Sequence, residues 1–221
     1  FGIKPGDEYK QENIKPVTDA VTAYRWRDAG KANSVFSTGL VFGTDGDGTT
    51  DVQEFNVVVG THIALGLEAG DVRISGNYIN VFPDGLTFVN VETLQQAYLA
   101  VADGENDTIE FMENGRDTAN TLVGTNGDGK SDGNERNIIA YPSYKHAIEF
   151  YGADTANGGR TATNTVVAGN YFGVGIDGVT AQAELTVKLP NLMGSSGGDY
   201  RVGSNGDGVS DEIEGNLIVN A

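Results

Sequence analysis

An acidic, glycine-rich segment recurs three times along this chain, and that self-similarity constrains the fold more than any other feature. The copies are GTDGDGTTDVQEFN (Gly43 to Asn56, loop 1), GTNGDGKSDGNERN (Gly124 to Asn137, loop 2) and GSNGDGVSDEIEGN (Gly203 to Asn216, loop 3). Their offsets are 124 − 43 = 81 and 203 − 124 = 79 residues. An apolar run follows each loop: Val57-Val58-Val59, Ile138-Ile139 and Leu217-Ile218-Val219. Farther on, SGNYINVFPDGLT (Ser75 to Thr87) matches AGNYFGVGIDGVT (Ala168 to Thr180). That offset is 168 − 75 = 93, so the second copy carries extra residues, placed most simply at Gly152 to Thr163 in a solvent-facing loop.

Between the loops the sequence reads as short β-rich runs bounded by turn residues. In the second copy these are 137–141, 147–151, 164–168 and 185–189. Such runs suit a sandwich, a propeller or a solenoid. An eighty-residue unit is expected to hold three or four turns of roughly twenty to twenty-five residues. Residues 91–101 depart from this pattern: Val91, Leu94, Ala97, Tyr98 and Val101 fall at helical spacing and predict one short helix. Residues 8–24 fit no single pattern.

Asparagine placement favours the solenoid. Asn56, Asn137 and Asn216 each precede an apolar run, and Asn77 and Asn170 each sit between Gly and Tyr. Asparagine tolerates turn geometry, and in stacked turns its amides can bond in ladders. Ordinary turn asparagines in a sandwich are the alternative.

The loop spacing carries the most chemistry. With the first glycine as position one, Asp45, Asn126 and Asn205 stand at three, and Asp47, Asp128 and Asp207 at five. Asp51, Asp132 and Asp211 stand at nine, Glu54, Glu135 and Glu214 at twelve, and glycine always occupies six. Oxygen donors at three, five, nine and twelve, with glycine at six, match the twelve-residue EF-hand calcium loop. Calcium takes six to eight oxygens at about 2.3–2.6 Å, and close carboxylates repel without a cation. Two positions depart: position one is Gly43, Gly124 or Gly203, and position eight is Thr50, Ser131 or Ser210. The competing reading is a pair of polar turns in which Asp and Asn bond the backbone. Loop 1, with aspartate at both three and five, is expected to bind best.

The charge is consistent with a cation partner. The chain has 31 acidic and 14 basic residues, a net charge of −17, which disfavours nucleic acid and anionic membrane surfaces. No apolar stretch reaches membrane-spanning length. There is no cysteine, and hence no disulfide or thiolate site. Catalytic candidates are sparse. His62 and His146 are not repeat-equivalent, and Arg73, Arg136, Arg160 and Lys188 lie in no motif. Tyr24-Arg25-Trp26-Arg27 reads as an alternating strand before it reads as a sugar platform, and Tyr78 and Tyr171 read as stacked packing residues.

The phrases Gly-Thr-Asn-Gly-Asp-Gly, Glu-Arg-Asn-Ile-Ile and Val-Ala-Gly-Asn-Tyr-Phe-Gly resemble the repeats of bacterial right-handed parallel β-helix proteins, the pectate-lyase-like superfamily. They are especially similar to the large repetitive extracellular proteins of environmental bacteria. The resemblance spans roughly residues 39–221 and implies an all-β, right-handed parallel β-helix with long loops.

The expected organisation is thus residues 1–40 as strands and loops that continue the solenoid or form an insertion, then a β-helix over 41–221. Its repeats start near 43, 124 and 203, the third truncated, and both chain ends read as interior to a longer protein. The expected role is a calcium-stabilised structural or adhesive module, secreted or on the cell surface, with no catalytic residues. Its expected partner is a polysaccharide or a neighbouring surface protein. The alternatives are a polysaccharide lyase or epimerase and a non-catalytic polysaccharide-binding module.

Overall fold

The computed structural model describes residues 19–23, 39–59, 62–65, 71–89, 109–111, 119–140, 146–150, 162–183, 191–195 and 198–219. The regular structure of these residues is mostly strand, with very little helix. Numbered along the chain, the first sheet holds β1 (Asp19–Ala23), β4 (His62–Leu65), β7 (Ile109–Phe111), β10 (His146–Phe150) and β13 (Asn191–Ser195). The second holds β2 (Val41–Gly43), β5 (Arg73–Ser75), β8 (Leu122–Gly124), β11 (Ala162–Ala168) and β14 (Gly198–Val202). The third holds β3 (Val57–Val58), β6 (Tyr78–Ile79), β9 (Ile138–Ile139), β12 (Tyr171–Phe172) and β15 (Leu217–Ile218). Every pairing within the three sheets is parallel. Neighbours within a sheet are three apart in strand number, so the chain visits the sheets in rotation. No helix among the described residues is long and apolar enough to cross a membrane.

Register fixes the length of each circuit. Val41, Arg73, Leu122, Val166 and Arg201 form one column across the second sheet. The chain takes 32 residues from Val41 to Arg73, 49 to Leu122, 44 to Val166 and 35 to Arg201. Two circuits of about forty residues therefore make one repeat, not the three or four shorter ones expected from common solenoid periods. An acidic loop lies in the circuits of 32 and 44 residues, and an excursion between strands in those of 49 and 35. Two such excursions, closed by the antiparallel bridges Val81–Phe88 and Val174–Ala181, fall on the matched segments after Tyr78 and Tyr171. In each, an aspartate (Asp84 or Asp177) accepts two backbone N–H groups and a threonine hydroxyl.

The three sheets enclose one apolar core. The second sheet contributes the column Phe42, Ile74, Val123 and Val167; the third contributes Val58, Ile79, Ile139 and Phe172; the first contributes Ala147 and Ile148. Each large side chain fully buried here contributes about 1.5–3 kcal/mol. The columns end in the last layer, where Val202 is 49% and Ile218 41% exposed.

At the corner between the second and third sheets a line of asparagine amides runs through the layers. The Asn77 amide donates to Asn137 Oδ1, Asn137 to Asn170 Oδ1 and Asn170 to Asn216 Oδ1, at 3.0, 2.8 and 3.1 Å. Each of these amides also donates to a carbonyl in the preceding layer: Phe42, Ile74 and Val123 respectively. Asn56 begins the line by donating to Asn77 Oδ1, and Asn216 ends it on the Val167 carbonyl.

Close stacking at this corner requires glycine at the first loop position. A Cβ on Gly124 (φ +103°) would lie 1.9 Å from the Ala168 carbonyl oxygen of the next layer, whereas one on Gly203 (φ +91°) would meet nothing within 4 Å. Gly124→Ala should therefore cost more than about 4 kcal/mol, the range of severe backbone clashes. Gly203→Ala should cost only the positive-φ penalty of about 1–2 kcal/mol. Denaturant unfolding of the two variants checks this; equal losses would mean that layer contact is not what requires the glycine.

Candidate metal centre

All three acidic loops leave the same corner. They join β2 to β3, β8 to β9 and β14 to β15. In the intervening circuits the same corner is turned by Gly76-Asn77 and Gly169-Asn170 alone. Each loop is thus an insertion on a minimal turn, and each folds on the same network.

The position-two hydroxyl donates to the position-nine carboxylate: Thr44 to Asp51 at 2.7 Å, Thr125 to Asp132 at 3.0 Å, and Ser204 to Asp211 at 2.7 Å. The same hydroxyl accepts the N–H of position four. The other oxygen of the position-nine aspartate accepts the N–H of Gly48, Gly129 or Gly208. Oδ1 of Asp45, Asn126 and Asn205 accepts the N–H of position five, and Oδ1 of Asp47, Asp128 and Asp207 that of position seven. Glu54, Glu135 and Glu214 each turn Oε2 back to the N–H of position three. Thr50, Ser131 and Ser210, at position eight, adopt positive φ. The polar-turn bonding expected of Asp and Asn is therefore present in every loop. Each carboxylate oxygen has further lone-pair capacity beyond a single N–H bond.

The loops differ in their charge. Loop 1 brings carboxylate oxygens of Asp45, Asp51 and Glu54 within 4.8 Å of one another, the one such group of acidic or histidine side chains among the described residues. Asp47, Asp128 and Asp207 are exposed, and Asp47 is not part of that group. In loops 2 and 3, Asn126 and Asn205 provide amide oxygens where loop 1 has a carboxylate. There the closing glutamate is fully buried and paired: Glu135 with Arg73, and Glu214 with Arg201 at 3.0 Å. Glu54 Oε1 instead accepts the Thr50 hydroxyl at 2.9 Å. No ion pair reaches Asp45, Asp51 or Glu54 from the described residues.

The position-two hydroxyls and the two arginines are the site residues the loop pattern does not single out. The hydroxyls were visible as a Thr/Ser column in the repeat. The Arg73–Glu135 pair joins residues far apart in sequence and has no local signal.

Electrostatics follow this bonding. The Ser131 hydroxyl holds the Asp51 carboxyl below the usual aspartate range, opposed by burial and helped by Thr44 and loop N–H groups. Ser131 belongs to loop 2. The Ser204 hydroxyl likewise holds Asp211 low. Burial pushes Glu135 up, against the pull of the Asn126 N–H, Thr125 and Arg73.

Beside loop 1 a shallow groove is lined by Asp51, Val52, Phe55, Tyr78, Arg136 and Ile176. Phe55 meets Tyr78 edge to face at 5.3 Å, and Arg136 lies 4.0 Å over the Tyr171 ring. Both tyrosines pair with Ile138 across the third sheet and pack on its small core cluster. His62 and His146 lie in β4 and β10, one and two residues before the aligned Ile63 and Ile148, so they share no column. The 91–101 helix, the 24–27 run, the 185–189 run and residues 152–161 of the insertion placed at 152–163 lie outside the described residues.

The depressed Asp51 value has a defined sign. Its bonds stabilise the fold above the ordinary aspartate value of about 3.8 and are lost as pH falls through the lower folded value. In chelator, Asp51→Asn should melt below the parent at neutral pH, and the gap should close as pH drops beneath about 3.8. Thermal unfolding across that range checks it. A gap that stays constant would show that the charge of Asp51 contributes nothing.

No family model matches the chain, and no curated protein or solved structure matches it.

Proposed function

We propose that this chain is a segment of an extracellular right-handed parallel β-helix with a structural or adhesive role, stiffened by calcium in its acidic loops and first of all in loop 1. One observation carries the reading: the chain rotates through three parallel sheets around one core and places the same acidic loop at the same corner in alternate circuits. Rotation with a fixed strand register is what a solenoid requires. Repetition suits a scaffold, because a catalytic site needs only one copy.

Calcium is the cation of choice for the loop 1 donors. Asp45, Asp51 and Glu54 offer hard oxygens on a tightly curled loop, and backbone carbonyls and water can complete the shell. Their mutual repulsion without a cation is on the order of 1–4 kcal/mol per pair at such separations. A site with three carboxylates and a glycine in place of the first EF-hand ligand fits the weak range of extracellular modules, about 10⁻⁴–10⁻³ M. Secretion or surface display supplies calcium at that level, and adhesion to a polysaccharide or a neighbouring surface protein is the partner class we assign.

Calcium at about 10 mM should then stabilise the chain by about 1.4–2.7 kcal/mol relative to chelator. Glu54→Gln should remove most of that gain. Differential scanning calorimetry in calcium and in chelator reads both, and identical melting curves would sink the metal assignment. Incubation with uronate polysaccharides should give no ultraviolet-absorbing unsaturated product; its appearance would replace the scaffold reading with a lyase.

A further inference from the structure

We infer that the partner of the closing glutamate decides which loops take a cation, and that loops 2 and 3 carry theirs covalently as the guanidinium groups of Arg73 and Arg201. The inference rests on the calcium reading of loop 1 and deepens it by naming the residues that set selectivity.

The three closing glutamates are superposable in role but not in partner. Each gives Oε2 to the N–H of position three. The Oε1 slot is where they diverge. In loop 3 it receives Arg201 Nη1 at 3.0 Å, and in loop 2 it pairs with Arg73 Nη2. In loop 1 its partner among the described residues is the Thr50 hydroxyl. A glutamate that closes an EF-hand loop gives both oxygens to the ion. A guanidinium on Oε1 already neutralises that carboxylate and fills the side the ion needs. Burial follows the same division. Glu135 and Glu214 are fully buried, which a carboxylate sustains only when paired, whereas Glu54 is partly exposed. The neutral amides of Asn126 and Asn205 reduce the charge of the same two loops further.

The selector has a fixed address in the fold. Arg201 lies two residues before Gly203, and the corresponding residues before Gly43 and Gly124 are Val41 and Leu122. All three share one column of the second sheet, together with Arg73. In loop 2, where Leu122 cannot reach the glutamate with charge, Arg73 from the adjacent strand takes the task. Both members of the Arg73–Glu135 pair pack against loop 1, where a Cβ on Gly46 would lie 1.9 Å from Glu135 Oε1 and 2.2 Å from Arg73 Nη2. Among the described residues the column offers loop 1 only Val41, which is 47% exposed and apolar.

Two exchanges between loops test this without altering a metal ligand. Val41→Arg copies the loop 3 residue into loop 1, and Arg201→Leu copies the Leu122 residue into loop 3. Isothermal titration with calcium chloride should find one ion fewer per chain in Val41→Arg and one more in Arg201→Leu. Arg201→Leu should also melt lower than the parent in chelator and recover in calcium, a rescue that a purely structural arginine would not give. Arg201→Gln serves as the second variant if the leucine form does not fold. An unchanged ion count in Val41→Arg, or in both Arg201 variants, overturns the inference. The calcium reading beneath it is separated by Glu54→Gln. If that variant binds as many ions as the parent, the loop 1 site itself is wrong; if it loses one ion while the exchanges change nothing, only the selector is wrong.

Discussion

The buried asparagine line is the interaction on which the other features depend. A primary amide removed from water without partners costs about 2–7 kcal/mol, so Asn77, Asn137 and Asn170 are tolerable in the interior only because each bonds both forward and back. Each amide ties its own layer to the carbonyl beneath and to the amide above. Sliding one layer by a single residue would break both bonds and turn a column such as Ile74–Val123–Val167 away from the core. Apolar packing alone does not distinguish these registers well, since strands of two or three residues bury little on either side. The amides supply the specificity that the short strands lack.

The same corner explains the loops. Where Gly76-Asn77 or Gly169-Asn170 turns the chain, the corner needs no more than two residues. An insertion there faces outward and must satisfy its own backbone. It does so with a hydroxyl at two, side-chain oxygens at three, five and nine, and a glutamate folded back from twelve. The acidic character is thus first a solution to backbone bonding. Concentrated carboxylate is its by-product, and in loops 2 and 3 Arg73 and Arg201 neutralise the closing glutamate.

Much of this was legible in the sequence because it is local. The loop positions, the apolar runs after them and the ladder asparagines are all short-range signals, and Asn56, Asn77, Asn137, Asn170 and Asn216 stand where their neighbours in sequence place them. The number of circuits per repeat was not legible. Strands such as Val57–Val58 are too short to carry a period, and variable excursions blur the spacing between them. The Arg73–Glu135 pair was invisible for a different reason. It is a contact between layers, and which residues meet across layers follows from register rather than from any motif.

The last described layer shows how local the stability is. Val202 and Ile218 continue columns whose other members are buried, yet they are themselves about half exposed. Gly203 and Gly206 face open space, although their counterparts Gly43 and Gly46 are pressed against the layers above them. A residue in this architecture is therefore buried by its neighbouring layer rather than by its own. Energetic changes should propagate the same way, one interface at a time.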